Sequence, residues 1–160
     1  MDVIGEIVTK EKLNGKTVGL ITGCFDIVHI GHLNLFRFAK KHVGVVVVGL
    51  DSDASIKLSK SPNRPLFPIN KRLDFMSSII EVDYVFPISY DFDFNNTTAP
   101  TILFKITKKV SPTHLITNTE ADTYWKEKKI RAQKLGIIFL PYKQIPHSSS
   151  KIINHLESEF

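Results

Sequence analysis

The chain has 160 residues, of which 42% are apolar and 23% charged, a composition typical of a globular protein and not of a disordered one. Its longest apolar run, Val43–Leu50, is far shorter than the roughly 20 residues of a membrane span, and the residues after Met1 do not form a secretory signal. Cys24 is the only cysteine, so an intramolecular disulfide is excluded and a reducing, cytoplasmic compartment is expected.

The charged residues comprise 21 Lys and Arg against 16 Asp and Glu, a formal net charge of +5 at pH 7. The lysines are scattered through predicted helices, and no arginine-rich arm, zinc-finger spacing or RNP pattern accompanies them. Such an excess is typical of solvated helix faces and suits a small anionic substrate. We therefore expect neither nucleic acid nor a membrane as the partner.

Apolar runs alternate with segments of helical period, and neither a repeat nor a linker interrupts them. The predicted elements, in chain order, are a strand at Thr17–Thr22, a helix at Gly31–Lys41, a strand at Val43–Leu50, a helix at Asn70–Ile80, a strand at Tyr84–Ile88, a helix at Ala99–Val110, a strand at His114–Thr117, a helix at Thr123–Leu135, a strand at Ile137–Leu140 and a helix at Ser149–Leu156. Five valines in Val43–Leu50 indicate a strand that is buried on both faces. The alternation predicts an α/β fold with a single doubly wound, Rossmann-like parallel sheet, in one domain over residues 1–160 with its core at about 16–155.

Two segments fit neither the helical nor the strand period, and both are predicted to be loops. Lys57–Pro68 contains three prolines among basic residues. Tyr90–Pro100 interleaves Asp and Asn residues with Phe92 and Phe94. The second loop is expected to shape the acceptor site or a subunit contact.

The first predicted strand runs directly into Gly23-Cys24-Phe25-Asp26-Ile27-Val28-His29-Ile30-Gly31-His32. His29 and His32 are three residues apart on the opening turn of the next helix, so both imidazoles are expected to point the same way. That turn also presents unpaired N–H groups and the positive end of the helix dipole. Gly23 would let the backbone approach a ligand closely. Because doubly wound sheets bind ligands at the carboxyl ends of their strands, the pattern predicts a polyphosphate site.

These residues resemble the cytidylyltransferase-like nucleotidyltransferases, whose mark is G-x-F-D-x-x-H-x-G-H, and every defined position matches. The similarity covers residues 16–155. Downstream, the order of Asp51–Ser55, Lys57, Arg64-Pro65, Arg72 and Val82–Val85 is similar to that in the adenylyltransferase domain of ADP-heptose synthesis. Near the end, His147–Ile153 resembles the Ser-Thr-Thr-x-Ile-Ile of that domain and the Ile-Ser-Thr-Thr of glycerol-3-phosphate cytidylyltransferases.

The resemblance implies an enzyme in which an acceptor phosphate attacks the α-phosphorus of a nucleoside triphosphate and pyrophosphate leaves. His29, His32 and Lys57 would be catalytic, and Mg²⁺ would be bound mainly through phosphate oxygens. The residues expected to bind the nucleotide are Thr22, Gly23, Cys24, Phe25, Gly31, Arg72, Thr117, Asn118, Ser148, Ser149 and Ser150. Of these, Cys24 would act as a packed small side chain, and one of the serines would cap the last helix.

The acceptor side of the site is expected to involve Asp26, Lys60 and Arg64, with Asp26 acting mainly as an anchor of the turn. Relatives carry a glycine- and acid-rich stretch in the nucleoside pocket, whereas Thr117–Asp122 contains no glycine. ATP and a sugar phosphate are therefore favoured by motif resemblance alone. A CTP-dependent polyol-phosphate cytidylyltransferase, an FAD synthetase-like enzyme and an inactive nucleotide-binding module are the alternatives. The resemblance also favours a homodimer.

Overall fold

The computed structural model of the chain describes residues 2–95 and 98–144, and within them the chain forms five strands and six helices. In chain order these are α1 (Asp2–Leu13), β1 (Val18–Gly23), α2 (Ile30–His42), β2 (Val45–Leu50), α3 (Asp53–Ser59), α4 (Ile69–Ser77), β3 (Tyr84–Pro87), α5 (Thr98–Val110), β4 (His114–Asn118), α6 (Trp125–Lys134) and β5 (Ile138–Tyr142). None of these helices has the length and apolar character needed to cross a bilayer. The helix predicted at Ser149–Leu156 lies outside the described residues.

The five strands form one parallel sheet in the order β3-β2-β1-β4-β5. β1 pairs with β2 from Val18, opposite Val45, to Gly23, opposite Leu50. The chain leaves β1 towards β2 and β3, and later returns through α5 to β4 on the other side of β1. Strand order therefore reverses between β1 and β4, where a doubly wound sheet opens a crevice at its carboxyl edge. The predicted α/β class and parallel sheet are confirmed.

Alternate side chains of the central strands enter two separate apolar layers. On β2, Val45 and Val47 pack in the layer beneath α1 and α5, whereas Val46 and Val48 pack in the layer beneath α2 and α4. All four valines are buried. The prediction of a strand covered on both faces is thus confirmed.

Helix α1 was not predicted, although it belongs to the core. Ile4 and Val8 are 4% and 0% exposed and pack in the same layer as α5. Ile4, Ile7 and Val8 stand at the i, i+3 and i+4 spacing of an apolar helix face, so the sequence carried the signal that the prediction missed. The packed core therefore begins before residue 16.

Parts of both predicted loops are helical. The prediction of a loop from Lys57 is wrong over its first residues, because α3 extends to Ser59. The side chain of Ser52 starts this helix, since its Oγ accepts a hydrogen bond from the Ser55 N–H at 3.0 Å. The second predicted loop likewise ends earlier than expected, because α5 begins at Thr98.

Candidate active site

A cavity of about 290 Å³ lies at the carboxyl ends of β1, β2 and β4. Its walls are the turn between β1 and α2, the end of α3, and the segment between β4 and α6. Of the predicted site residues, the structure brings together Thr22, Gly23, Cys24, Phe25, Asp26, His29, Gly31, His32, Lys60, Thr117 and Asn118 around this cavity. The lining also includes residues that were not among the predicted site residues, namely Asp51, Ser59, Phe94, Leu103, Asp122, Tyr124 and Lys128.

The turn after β1 is shaped around the ring of Phe25. This residue has a φ of 45°, a left-handed conformation that costs a non-glycine residue free energy. Its ring lies edge-on to the imidazole of His32, with centroids 5.0 Å apart, and 5.5 Å from the ring of Phe36. A Cβ on Gly23 would lie 3.1 Å from the Phe25 ring. Glycine at position 23 therefore makes room for the ring that supports His32.

His29 and His32 lie together at the start of α2. Their ring centroids are 3.9 Å apart and their planes differ by 20°, so the imidazoles point the same way, as the spacing predicts. The His29 Nδ1 accepts a hydrogen bond from the Gly31 N–H at 3.2 Å, and the His32 Nδ1 accepts one from the His29 N–H at 3.4 Å. This reciprocal pair caps the helix in the manner of a capping box. The two histidines thus help to form the helix terminus that they line.

The hydrogen bonds of His32 define how the ring can act. Because its Nδ1 accepts a hydrogen bond, the neutral ring carries its proton on Nε2. Burial lowers the pKa of His32 to about 3, and the charges of His29 and Lys60 act in the same direction. His32 is therefore a neutral N–H donor at physiological pH.

We expect the free energy of unfolding to decrease as the pH falls from 6.5 towards 3. Over this range the unfolded chain binds a proton at His32 and the folded protein does not, because burial lowers its pKa from 6.5 to about 3. Urea denaturation at several pH values measures the slope. The variant His32→Asn lacks the titrating ring and should show a shallower slope; equal slopes would contradict the interpretation.

Of the two candidate lysines, only Lys60 lines the cavity. Lys60 is the residue at which α3 ends, and the preceding Ser59 lines the cavity with it. Lys57 is exposed within α3 and is not part of the cavity lining. The structure therefore places the lysine predicted for the acceptor beside the histidines, and not the predicted catalytic Lys57.

Arg72 on α4 is 2% exposed and does not line the cavity. Its guanidinium donates to the carbonyl oxygens of Phe67 at 3.0 Å, Cys24 at 2.7 Å and Asp51 at 2.8 Å. It also pairs with the Asp53 carboxylate at 2.6 Å. These contacts join the turn after β1, the end of β2 and the start of α3. The structure thus places Arg72 behind the cavity wall with its N–H groups donating within the protein, and its contact with a nucleotide stays a prediction.

Replacing Arg72 by lysine is expected to cost about 1–2 kcal/mol of unfolding free energy. Lysine keeps the charge but cannot reach all four acceptors of the guanidinium at once. Urea denaturation measures the loss, with Lys71→Arg, an exposed neighbour on the same helix, as the matched control. Wild-type stability in Arg72→Lys would show that the guanidinium contacts contribute little.

Asp26 ties the segment before α4 to the motif. Its carboxylate accepts hydrogen bonds from the N–H groups of Leu66 and Phe67, both at 3.0 Å, and pairs with the Arg64 Nε at 2.6 Å. Asp26 is 5% exposed, and Arg64 does not line the cavity. The geometry agrees with the anchoring role expected of Asp26 and gives Arg64 a part in the same anchor.

A buried ion pair holds the wall between β4 and α6. The Lys128 Nζ donates to the Thr22 carbonyl at 3.1 Å and the Thr117 Oγ1 at 3.4 Å, and pairs with the Asp122 carboxylate at 2.7 Å. Burial opposes ionisation of Asp122, but the charge of Lys128 and hydrogen bonds from Lys128 and Thr117 lower its pKa below the ordinary value. This network joins β1, β4 and α6, and it uses the hydroxyl of Thr117.

The amide of Asn118 is also used within the protein. Its Oδ1 accepts hydrogen bonds from the N–H groups of Glu120 at 3.1 Å and Gln144 at 3.5 Å, and its Nδ2 donates to the Gln144 carbonyl at 3.3 Å. Asn118 therefore shapes the wall of the cavity that it lines, and its contact with a nucleotide stays a prediction. Ser148, Ser149 and Ser150, predicted for the same role, lie outside the described residues.

Cys24 is a packed thiol beside an unpredicted acid. Its Sγ donates to the Asp51 Oδ2 at 3.3 Å. Burial raises the pKa of both Cys24 and Asp51. A thiol with a raised pKa is a poor nucleophile, which agrees with the expected packing role.

Three comparisons place the chain among known proteins. A sequence profile described as cytidylyltransferase-like matches residues 20–155. The bifunctional protein HldE of Geobacter sulfurreducens is 36% identical over 107 residues, 66% of this chain and 22% of that protein. HldE of Sulfurimonas denitrificans is 39% identical over 88 residues, 55% of this chain and 18% of that protein. The chain spans about a fifth of the length of these relatives.

Two solved structures have a similar fold. The lipopolysaccharide core biosynthesis protein from Thermoplasma volcanium matches with a TM-score of 0.61 and 22% identity, over 84% of this chain and 100% of that one. The pantoate-beta-alanine ligase from Francisella tularensis matches with a TM-score of 0.62 and 14% identity, over 94% of this chain and 70% of that one. At these identities the likeness concerns the fold alone.

Proposed function

Because this chain belongs to the cytidylyltransferase-like family, we propose that it transfers a nucleoside monophosphate from a nucleoside triphosphate to a phosphorylated acceptor and releases pyrophosphate. The observation that carries the proposal is the stacked pair His29 and His32, which lines one cavity together with Lys60. Such a cavity offers the neutral N–H of His32, the imidazole of His29 and the ammonium group of Lys60 to a chain of phosphates.

The start of α2 would bind the triphosphate. Helix N-termini present backbone N–H groups and a positive dipole to anions. His32 would add its Nε2–H, which donates at any physiological pH because burial lowers the pKa of the ring to about 3. Neutral donors do not require a counterion when the site is empty, and they still stabilise the charge that develops on the leaving group.

The chemical step would be a direct displacement. An oxygen of the acceptor phosphate attacks the α-phosphorus, and the bond from that phosphorus to the oxygen bridging to the β-phosphate breaks. Pyrophosphate leaves with the bonding electrons. Because the attacking phosphate is already ionised, no general base is needed, and the protein has only to align the groups and neutralise charge. Lys60 would neutralise charge where the two phosphates meet.

Mg²⁺ would bind mainly to the phosphate oxygens. Within the part of the chain that the structure describes, His, Cys, Asp and Glu form no group of three suited to a metal ion. The Asp26 and Asp122 carboxylates at the cavity also have cationic partners already. Bound in this way, Mg²⁺ would supply charge neutralisation on the triphosphate.

We favour ATP as the nucleotide donor and a sugar phosphate as the acceptor. The support is the similarity to the bifunctional HldE proteins and the motif resemblance to the adenylyltransferase domain of ADP-heptose synthesis. The side chains of Thr117 and Asn118 are used within the cavity wall. Base selection would therefore rest on the shape of the wall and on backbone groups.

Pyrophosphate release from ATP and CTP, measured with sugar phosphates, glycerol 3-phosphate and FMN as acceptors, tests the proposal. We expect release only when both a triphosphate and an acceptor are present, and most rapidly with ATP and a sugar phosphate. A preference for CTP with glycerol 3-phosphate, or for ATP with FMN, would replace the favoured substrates by an alternative. Binding of a triphosphate without release from any pair would indicate an inactive nucleotide-binding module.

A further inference from the structure

Phe94 is the side chain through which the segment after β3 reaches the cavity. Its ring stacks on that of Tyr124, just before α6, with centroids 4.4 Å apart and planes at 22°. Its other neighbour is the buried ring of Phe92, at 5.2 Å and edge-on. Phe94 is therefore held from two sides and forms an aromatic part of the wall.

The backbone around Phe94 is fixed to α3, the helix that ends directly before Lys60. The Phe94 N–H donates to the Ser59 Oγ at 3.3 Å, and the Asn95 side-chain amide donates to the Leu58 carbonyl at 3.3 Å. One turn earlier in α3, the Ser55 Oγ accepts a hydrogen bond from the Phe92 N–H at 2.9 Å. Since Ser59 precedes Lys60, these bonds hold the Phe94 ring and the Lys60 ammonium in one local unit.

The position of Lys60 orders the groups along the cavity. Lys60 lines the same cavity as the two histidines, and the hydrogen bond of the preceding Ser59 ties this end of α3 to Phe94. A triphosphate at the histidines would bring its α-phosphorus towards Lys60. An acceptor phosphate at Lys60 would then direct the rest of the acceptor towards Phe94 and the apolar Leu103, which also lines the cavity.

We propose that Phe94 selects the acceptor, and that the acceptor is a phosphorylated ring compound whose apolar C–H face packs on the aromatic wall. The inference rests on the nucleotidyl transfer proposed above. A sugar ring presents a flat set of C–H groups that excludes water from an aromatic surface, and such contacts add to simple burial of area. A linear polyol phosphate presents no such face, so it would gain little from Phe94.

Kinetics of pyrophosphate release test the proposal. With glucose 1-phosphate and mannose 1-phosphate as cyclic probes, Phe94→Ala should raise the acceptor KM about 10-fold and leave the KM for the triphosphate within about twofold. With glycerol 3-phosphate as the linear probe, the KM should hardly change. The conservative Phe94→Tyr should restore the cyclic KM. Tyr90→Ala, which removes an exposed ring of the same segment outside the cavity lining, is the matched control.

Ligand-observed NMR separates this inference from the activity. Saturation of the protein aromatic protons should transfer to the ring protons of glucose 1-phosphate in the wild type and in Tyr90→Ala, and not in folded Phe94→Ala. Failure of all turnover with this transfer intact would overturn the proposed function only. Equal KM changes for cyclic and linear acceptors, a change confined to the triphosphate, or unaltered saturation transfer in Phe94→Ala would overturn the role of Phe94.

Discussion

Replacing His32 by alanine should lower kcat for nucleotidyl transfer by about 10²–10³-fold. The neutral ring would donate its Nε2–H. The orientation of the ring is fixed by the hydrogen bond from the His29 N–H to its Nδ1 and by its edge-on contact with the Phe25 ring. Alanine removes a donor that is already oriented before the charge on the leaving group develops, and water in its place would have to reorient. Steady-state pyrophosphate release and thermal melting of the same sample measure activity and folding together.

The capping role of the histidines requires a control that keeps the helix start. In His29→Asn, the amide oxygen can still accept a backbone N–H at the N-cap, where asparagine is among the preferred residues. We expect this variant to melt close to the wild type and still to lose most of its kcat. If His29→Asn retained activity while His29→Ala lost both stability and activity, the pair would serve the helix and not the chemistry.

The fold and the turn that carries the two histidines could be predicted because both depend on local pattern. The run of valines in β2 fixes a doubly buried strand, and the spacing of His29 and His32 within one helical turn fixes their common direction. These features require no knowledge of distant residues. The capping of α2 by His32 likewise depends only on residues within one helical turn.

The rest of the site depends on contacts between distant segments. Arg72 meets Cys24, which is 48 residues away in sequence, and Lys128 meets Thr22, which is 106 residues away. The order of residues in the family suggested that Arg72 contacts the nucleotide. Only the packed structure shows that its N–H groups donate to carbonyl oxygens of the protein. Likewise, Phe94 lies in a segment that follows neither the helical nor the strand period. The sequence therefore could not predict that its ring stacks on the ring of Tyr124.

Lys57 within α3 and Lys60 at its C-cap provide the sharpest test of what the structure adds to the motif. Lys60→Ala should lower kcat/KM by about 10²-fold, because it removes the ammonium group that lines the cavity near the histidines. Lys57→Ala should change kcat/KM by less than about threefold. Both side chains are exposed, but Lys57 lies outside the cavity lining, so solvent screens its charge from a substrate in the cavity. Initial rates of pyrophosphate release at fixed ionic strength compare the two.

The comparison is matched, because both variants delete a lysine side chain at the same end of α3, three residues apart, and change the net charge by the same amount. A general effect of charge on attraction of the anionic substrates would lower both rates equally and would fade at high salt. A local effect at Lys60 would persist at high salt, because the group acts at short range within the cavity. Loss of activity in Lys57→Ala with a normal Lys60→Ala would restore the family-based assignment of the catalytic lysine and would mean that α3 moves when substrates bind.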